Sequence, residues 1–208
     1  MSWIGKQKAA VAAKLRGETP LAVLVERGLT VGKNFQPQKG CILDPSHCWL
    51  ITIGDDVTLA PRVHILAHDA STKMFLGYTK IGLVTIGNQV FIGANSTVLP
   101  NCRIGDRVIV GANSVVTKDL PSGGVYAGNP AKRICSLDDY LEKMKATMQP
   151  GNTFGAEYTI SRGITGEHKE KMKQVLKKGE FALYKTDGSV TLLDYPTAYV
   201  NNPNSIHN

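Results

Sequence analysis

Five histidines, His47, His64, His68, His168 and His207, are the side chains of this chain best suited to move protons near neutral pH. An imidazole set against a hydroxyl removes its proton as the oxygen attacks a carbonyl, the help a neutral alcohol needs to act as a nucleophile. His68 stands in the run Ala67-His68-Asp69, and His47 follows Asp44 and Ser46. His168 opens a basic segment, and His207 falls at the end of the chain. A second chemistry is open to the same residue type: three histidines around zinc would serve a metal-dependent lyase, and His47, His64 and His68 are the set available. The four cysteines, Cys41, Cys48, Cys102 and Cys135, form no C-x-x-C pair and none adjoins His68, so they read as reduced and structural. No metal is expected. Cations gather further on, at Lys118, Lys132 and Arg133, as donors for a phosphate.

A period of six positions these side chains. From Ile86 onward an aliphatic residue returns at Ile92, Val98, Ile104, Val110 and Val116, usually followed by a small one such as Gly87, Gly93, Gly105 or Gly111. This is neither the helical period of 3.6 nor the strand period of 2. Each hexad reads as a short strand plus a corner, and three hexads as one turn of a triangular solenoid. The fifth residue of each hexad also points inward: Val90, Ser96, Cys102, Val108, Ser114 and Leu120, most of them small. The fourth falls at the corner: Gln89, Asn95, Asn101, Arg107, Asn113 and Asp119. Asn and Asp tolerate the left-handed backbone region and bond their own turn. The register recurs at Ile53, Leu59 and Ile65, and more weakly at Val31, Pro37 and Leu43. Buried strands of an ordinary sandwich would show irregular spacing and longer alternation.

Two interruptions shift the phase, one at Pro45 to Leu50 and a longer one at His68 to Lys80. His64 ends its hexad and points outward from a flat wall. His68 takes the corner that opens the longer interruption, where a side chain faces a cleft, and it is the candidate general base. Asp69 can orient that imidazole or fill the next inward position, although neighbours on an extended backbone point to opposite sides. Lys73, Tyr78 and Lys80 can reach a neighbouring subunit or remain solvated.

At 208 residues, 42% hydrophobic and 20% charged, the chain can bury a continuous core and is not disordered. No apolar stretch approaches the roughly 18–20 residues that span a bilayer. The run Ala9 to Ala13 is too short and small for a signal-peptide core, so the cytoplasm is the expected compartment. A net charge of +7 and a pI near 9.2 suggest an anionic partner. The basic residues are dispersed and not interleaved with aromatics, which argues against nucleic acid and for a small phosphorylated cosubstrate. A merely solvated face is the other reading of the late lysines, Lys169 to Lys178.

Three parts follow. Residues 1–28 form an N-terminal helical cap, its second helix opened by Thr19 as N-cap with Pro20 at the first helical position and stopped near Gly28. Residues 29–135 are the coils. Residues 136–208 are a mixed extension, with helices at Leu137 to Met148 and Glu167 to Lys178, a hairpin of Phe181 to Tyr184 with Val190 to Leu193, and a poorly ordered tail from Tyr195.

The segments Ile51-Thr52-Ile53-Gly54-Asp55-Asp56, Ala67-His68-Asp69, Val116-Thr117-Lys118-Asp119-Leu120-Pro121 and Ala127-Gly128-Asn129-Pro130 resemble those of the hexapeptide-repeat acyltransferases. Within that family the chain is similar to the galactoside, maltose and capsular-polysaccharide O-acetyltransferases, over roughly residues 29–135. The resemblance implies a left-handed parallel β-helix, a homotrimer with active sites between subunits, and acetyl-CoA as co-substrate. His68 matches the catalytic histidine. Asp44 lies in the region where an acidic residue meets the sugar, and Asp69 is grouped with it on the acceptor side. Ala94 and Ala112 match backbone contacts to the cofactor, Thr117 and Lys118 contacts near its nucleotide end, and Lys132 a basic residue that meets phosphate. Arg133, shifted by one position, is the alternative to Lys132. Gly93, Ala94, Gly111 and Ala112 keep the wall low enough for pantetheine. The expected reaction is transfer of acetyl to a sugar hydroxyl in a ternary complex. An amino-sugar N-acetyltransferase, a carbonic-anhydrase-like lyase and a non-catalytic solenoid are the alternatives.

Overall fold

The structure is a computed structural model and describes residues 18–149, 151–177 and 182–184. The chain divides into two compact units, the first running to Leu137 and the second starting at Asp138.

Among the described residues the first helix of this unit is α1 (Leu21–Glu26), whose Leu24 is buried. Its N-cap is Pro20, in extended conformation, one residue later than the Thr19 expected from sequence. The Pro20 carbonyl accepts from the amides of Val23 and Leu24 at 3.0 and 3.2 Å, so the backbone starts the helix and no side-chain cap is made. The earlier helix expected in the cap lies outside the described residues.

Four coils follow. The first holds β1 (Thr30–Val31), β2 (Gln36–Pro37) and β3 (Ile42–Leu43). The second holds β4 (Ile51–Ile53), β5 (Thr58–Leu59) and β6 (His64–Ile65). A hairpin of β7 (His68–Asp69) and β8 (Lys80–Ile81), carrying the short helix α2 (Lys73–Leu76), then leaves the solenoid. The third coil holds β9 (Val84–Ile86), β10 (Phe91–Ile92) and β11 (Thr97–Val98), and the fourth β12 (Cys102–Ile104), β13 (Ile109–Val110) and β14 (Val115–Val116). Two longer strands, β15 (Gly124–Ala127) and β16 (Lys132–Ser136), close the unit.

The strands stack into three parallel walls, β1-β4-β9-β12, β2-β5-β10-β13-β15 and β3-β6-β11-β14, with β16 antiparallel on the second. Register follows the hexads: Val31, Ile53, Ile86 and Ile104 align on the first wall. Pro37, Leu59, Ile92 and Val110 align on the second, and Leu43, Ile65, Val98 and Val116 on the third. Nearly all of these are buried, and each aliphatic side chain so removed from water contributes about 1.5–3 kcal/mol. The inward serines are satisfied as well: Ser96 Oγ donates to the Gly111 carbonyl at 2.9 Å, and Ser114 Oγ accepts from the Gly128 amide at 3.0 Å.

The corners take the expected backbone at Gln89, Asn95, Asn101, Arg107 and Asn113, all with φ between 54° and 61°. Asp119 departs from this pattern; its carboxylate instead accepts from the Arg103 amide of the coil beside it at 2.8 Å. One more column is built from side chains. Lys33 N donates to Asp55 Oδ1 at 2.6 Å, Asp55 N to Asn88 Oδ1 at 2.8 Å, Asn88 N to Asp106 Oδ1 at 2.6 Å and Asp106 N to Ser122 Oγ at 2.9 Å. The glycine just before this column is fixed by the packing of coil on coil. A Cβ at Gly54 would lie 2.8 Å from the Gly87 backbone, closer than real contacts allow.

The second unit holds α3 (Leu137–Ala146, whose first residue closes the first unit), β17 (Thr153–Phe154), α4 (Gly166–Leu176) and β18 (Leu183–Tyr184). Both expected helices are present. Thr165 caps α4, its Oγ accepting from His168 N at 3.2 Å. Leu183 and Tyr184, from the first strand of the expected hairpin, pair in parallel with Thr153 and Phe154. Val190 to Leu193 and the tail from Tyr195 lie outside the described residues.

Candidate active site

Strands β3 and β6 lie side by side on the third wall, with Leu43 opposite Ile65. Asp44 continues that ladder, its amide donating to the Ile65 carbonyl at 2.9 Å. The chain then leaves the coil at Pro45, and the Asp44 carboxylate turns inward to hold the departure. Its Oδ1 accepts from the amides of Ser46 and His47 at 3.1 and 3.3 Å, and its Oδ2 from the Ala67 amide of the next coil at 3.0 Å. The same Oδ2 pairs with His68 Nδ1. The Asp44 side chain is 0% exposed and that of His68 32%, so one partner is sealed and the other reachable.

Burial alone would push the Asp44 carboxyl up. The His68 imidazole and the amides of Ala67 and Ser46 outweigh it, and the net shift is downward. A carboxylate on Nδ1 makes that nitrogen the donor and leaves the lone pair of the neutral ring on Nε2. This is the arrangement in which an imidazole acts as a general base and its cationic form is stabilised after the proton is taken.

Asp69, one residue on, does not share in that pair. Its Oδ2 meets Lys80 Nζ at 2.6 Å and its Oδ1 accepts from Ser71 N at 2.8 Å, closing the base of the hairpin. Lys80 above all, with Ser71, holds this carboxyl well below the usual carboxylate range. His64 lies in β6 between Ile42 and Thr97, on the flat wall. His47, which follows Asp44 and Ser46 in the sequence, packs beside His68: the two ring centroids are 5.0 Å apart, and the Trp49 ring lies 5.3 Å from that of His47. The His47 Nδ1 is buried with no hydrogen-bond partner.

The residues assigned to the cofactor fall on two corners. Ala94 and Ala112 stack at the corner between the second and third walls, where the Asn113 amide donates to the Ala94 carbonyl at 2.8 Å. Beyond Ala112 the chain from Ala127 to Ala131 crosses the same corner, tied by Val115 N to the Gly128 carbonyl at 3.0 Å and Ala131 N to the Val115 carbonyl at 2.8 Å. Lys132 and Arg133 then enter β16, both exposed. Thr117 and Lys118 are exposed on the opposite edge of the third wall, two coils above the edge that carries His68. Geometry thus gathers Ala94, Ala112 and Lys132 on one side of a short wall, and Thr117, Lys118, Asp44 and His68 on the other.

The α2 excursion carries Met74, Phe75, Leu76 and Tyr78, each at least 67% exposed, and Ile81 and Leu83 extend the apolar run. Among the described residues no helix is long and apolar enough to cross a membrane.

The sequence signature of the family described as "Bacterial transferase hexapeptide (six repeats)" matches residues 84–118. Protein CapG of Staphylococcus aureus is 48% identical over 103 residues, covering 48% of this chain and 60% of that protein. The galactoside O-acetyltransferase of Escherichia coli (strain K12) is 31% identical over 144 residues, covering 66% of this chain and 68% of that enzyme. Among solved structures, a maltose O-acetyltransferase from Clostridium difficile 630 matches with a TM-score of 0.45 and 41% identity, over 51% of this chain and 57% of that one. The match to Protein CapG, like that to the putative acetyltransferase YvoF of Bacillus subtilis at 55%, spans less than two thirds of the relative's length. Six-residue coils in register, the family signature within them and the likeness over most of the galactoside enzyme place the chain in the hexapeptide-repeat acyltransferase family.

Proposed function

We propose that the chain moves an acetyl group from acetyl-CoA to a hydroxyl of a sugar or polysaccharide precursor. The observation that carries this reading is the sealed Asp44 carboxylate on Nδ1 of the part-exposed His68. In the proposed step His68 Nε2 takes the hydroxyl proton as the oxygen attacks the thioester carbonyl. Backbone amides stabilise the tetrahedral oxyanion, and the imidazolium, held by Asp44, returns the proton to the departing thiolate. Both substrates are bound together, and no covalent enzyme intermediate is needed. Asp44 acts as a positioning residue rather than a sugar ligand, since its oxygens are taken by His68 and three amides.

Coenzyme A is assigned to Ala94, Ala112, Thr117, Lys118 and Lys132, with Arg133 beside Lys132 for phosphate. The working form is assigned as a homotrimer of left-handed β-helices; the exposed apolar residues of the α2 excursion support a neighbouring subunit there. Residues 1–28, 29–135 and 136–208 are kept as cap, transferase domain and extension. A sugar acceptor is supported by the galactoside enzyme among the relatives.

The test is free-thiol release from acetyl-CoA with a panel of sugars and amino sugars. Release that depends on a hydroxyl acceptor supports the reading. Release only with amines would assign N-acetylation, and no release together with no coenzyme A binding would leave a non-catalytic solenoid.

A further inference from the structure

We propose that Asp44, His47 and His68 form a binding site for zinc or a similar borderline divalent metal, and that occupancy switches acyl transfer off. Each of the three offers a ligand atom within 4.8 Å of the other two. Carboxylate oxygen and imidazole nitrogen are the donors that zinc takes, at roughly 2.0–2.2 Å. Tetrahedral zinc separates its ligand atoms by roughly 3.3–3.5 Å, so modest rotation of the two part-exposed rings closes the set around one ion. Asp44 is held in place by three backbone amides and cannot swing away, which makes it the fixed anchor.

His47 supplies the second, independent observation. Its Nδ1 is buried beside His68 with no hydrogen-bond partner, whereas the other buried polar side-chain atoms of the described residues are satisfied. A buried ring nitrogen without a partner is uncommon in a folded chain, and a metal would supply one. The excursion from Pro45 to Leu50, which lengthens the first turn, is what carries His47 to the His68 ring. His64 is not one of the three, since within the chain it lies on the wall between Ile42 and Thr97.

Zinc at this set and proton transfer by His68 exclude each other. Through Nδ1 the ion takes the place of the proton held against Asp44 Oδ2, and the neutral ring then carries its proton, exchanged through solvent, on Nε2. The lone pair that would accept the hydroxyl proton is gone, and the base is lost without any covalent change. Binding stands on the three ligands alone, and the effect on turnover rests on the proposed role of His68.

The experiment titrates the metal-free 208-residue chain with zinc chloride against a chromophoric chelator, alongside His47→Gln and His64→Gln, with circular dichroism confirming that each is folded. One zinc per chain, with affinity reduced by about tenfold or more in His47→Gln and unchanged in His64→Gln, is the expected result. No binding to the wild type, or equal binding to all three, overturns the site. Thiol release is then compared with and without zinc for each protein. Zinc should abolish it in the wild type and in His64→Gln at concentrations that His47→Gln resists. Zinc bound as expected to a metal-free chain that never transfers acetyl would uphold the site and reject the transferase reading instead. Full activity in the zinc-saturated wild type would reject the switch.

Discussion

Replacing Asp44 by Asn tests how the site is held. The two side chains have nearly the same shape, but only the carboxylate can accept at every position the structure uses. Asp44 Oδ2 serves both the Ala67 amide and His68 Nδ1, and Oδ1 serves Ser46 and His47. An amide group turned with NH2 toward His68 and Ala67 places donor against donor. Turned the other way, it faces the Ser46 and His47 amides with the same conflict. Loss of a hydrogen bond to a charged group is worth about 1.5–3 kcal/mol, and a buried donor left unsatisfied a further 1–3 kcal/mol. If about 2–4 kcal/mol of that falls on the imidazolium formed in the transition state, kcat falls by about 30- to 1000-fold. The assay is thiol release under saturating acetyl-CoA and acceptor, with KM for acetyl-CoA expected to stay near wild type. Because the two residues act as one unit, Asp44→Asn in a His68→Ala background should cost little more. Acid stability offers a second readout. The Asp44 carboxyl is lowered from 3.8 in the fold, so it adds stability above that value and loses it as pH falls through the lower, folded value. The wild type should therefore lose more stability below about pH 4 than Asp44→Asn does. A folded Asp44→Asn protein with kcat within about threefold of wild type would refute the positioning role.

Two further outcomes follow from the coil. Ile92 is 0% exposed and stacked between Leu59 and Val110, so Ile92→Ala should lower the free energy of unfolding by about 2–5 kcal/mol in urea titration; a loss below about 1 kcal/mol would contradict the packing described. Burial pushes the Cys41 thiol up to about 11, and its Sγ points at the Ala60 carbonyl at 3.2 Å. Iodoacetamide at pH 8 should leave Cys41 unmodified in the native protein and modify it once the chain is unfolded, as read by peptide mass; rapid native labelling would place that thiol elsewhere.

The walls were legible in the sequence because a solenoid repeats one local rule. Each hexad needs a buried aliphatic, a small neighbour and a corner that accepts positive φ, and Ile86 to Val116 satisfy this with little tertiary help. Asp119 broke the pattern where the coil ends and a side-chain acceptor was needed more than a corner. The column from Asp55 to Ser122 bonds one coil to another, so no single hexad announces it.

The site was legible only in part. His68 stands at a phase shift, which marks a departure from the wall. Its partner is 24 residues away, and the nearer acid, Asp69, is drawn off by Lys80. The stacking of Leu43 on Ile65 held the clue, since it sets Asp44 beside the start of the His68 segment. His47 was harder to read, because the irregular excursion that brings it to His68 follows no repeat.

The central claim is that His68 is the base. Its most direct test is kcat for acetyl transfer in His68→Ala, on protein shown to keep its fold, its assembly and its affinity for coenzyme A. A fall of about 10²- to 10⁴-fold, equivalent to about 3–5 kcal/mol of barrier, is predicted. A rate within about threefold of wild type would contradict it.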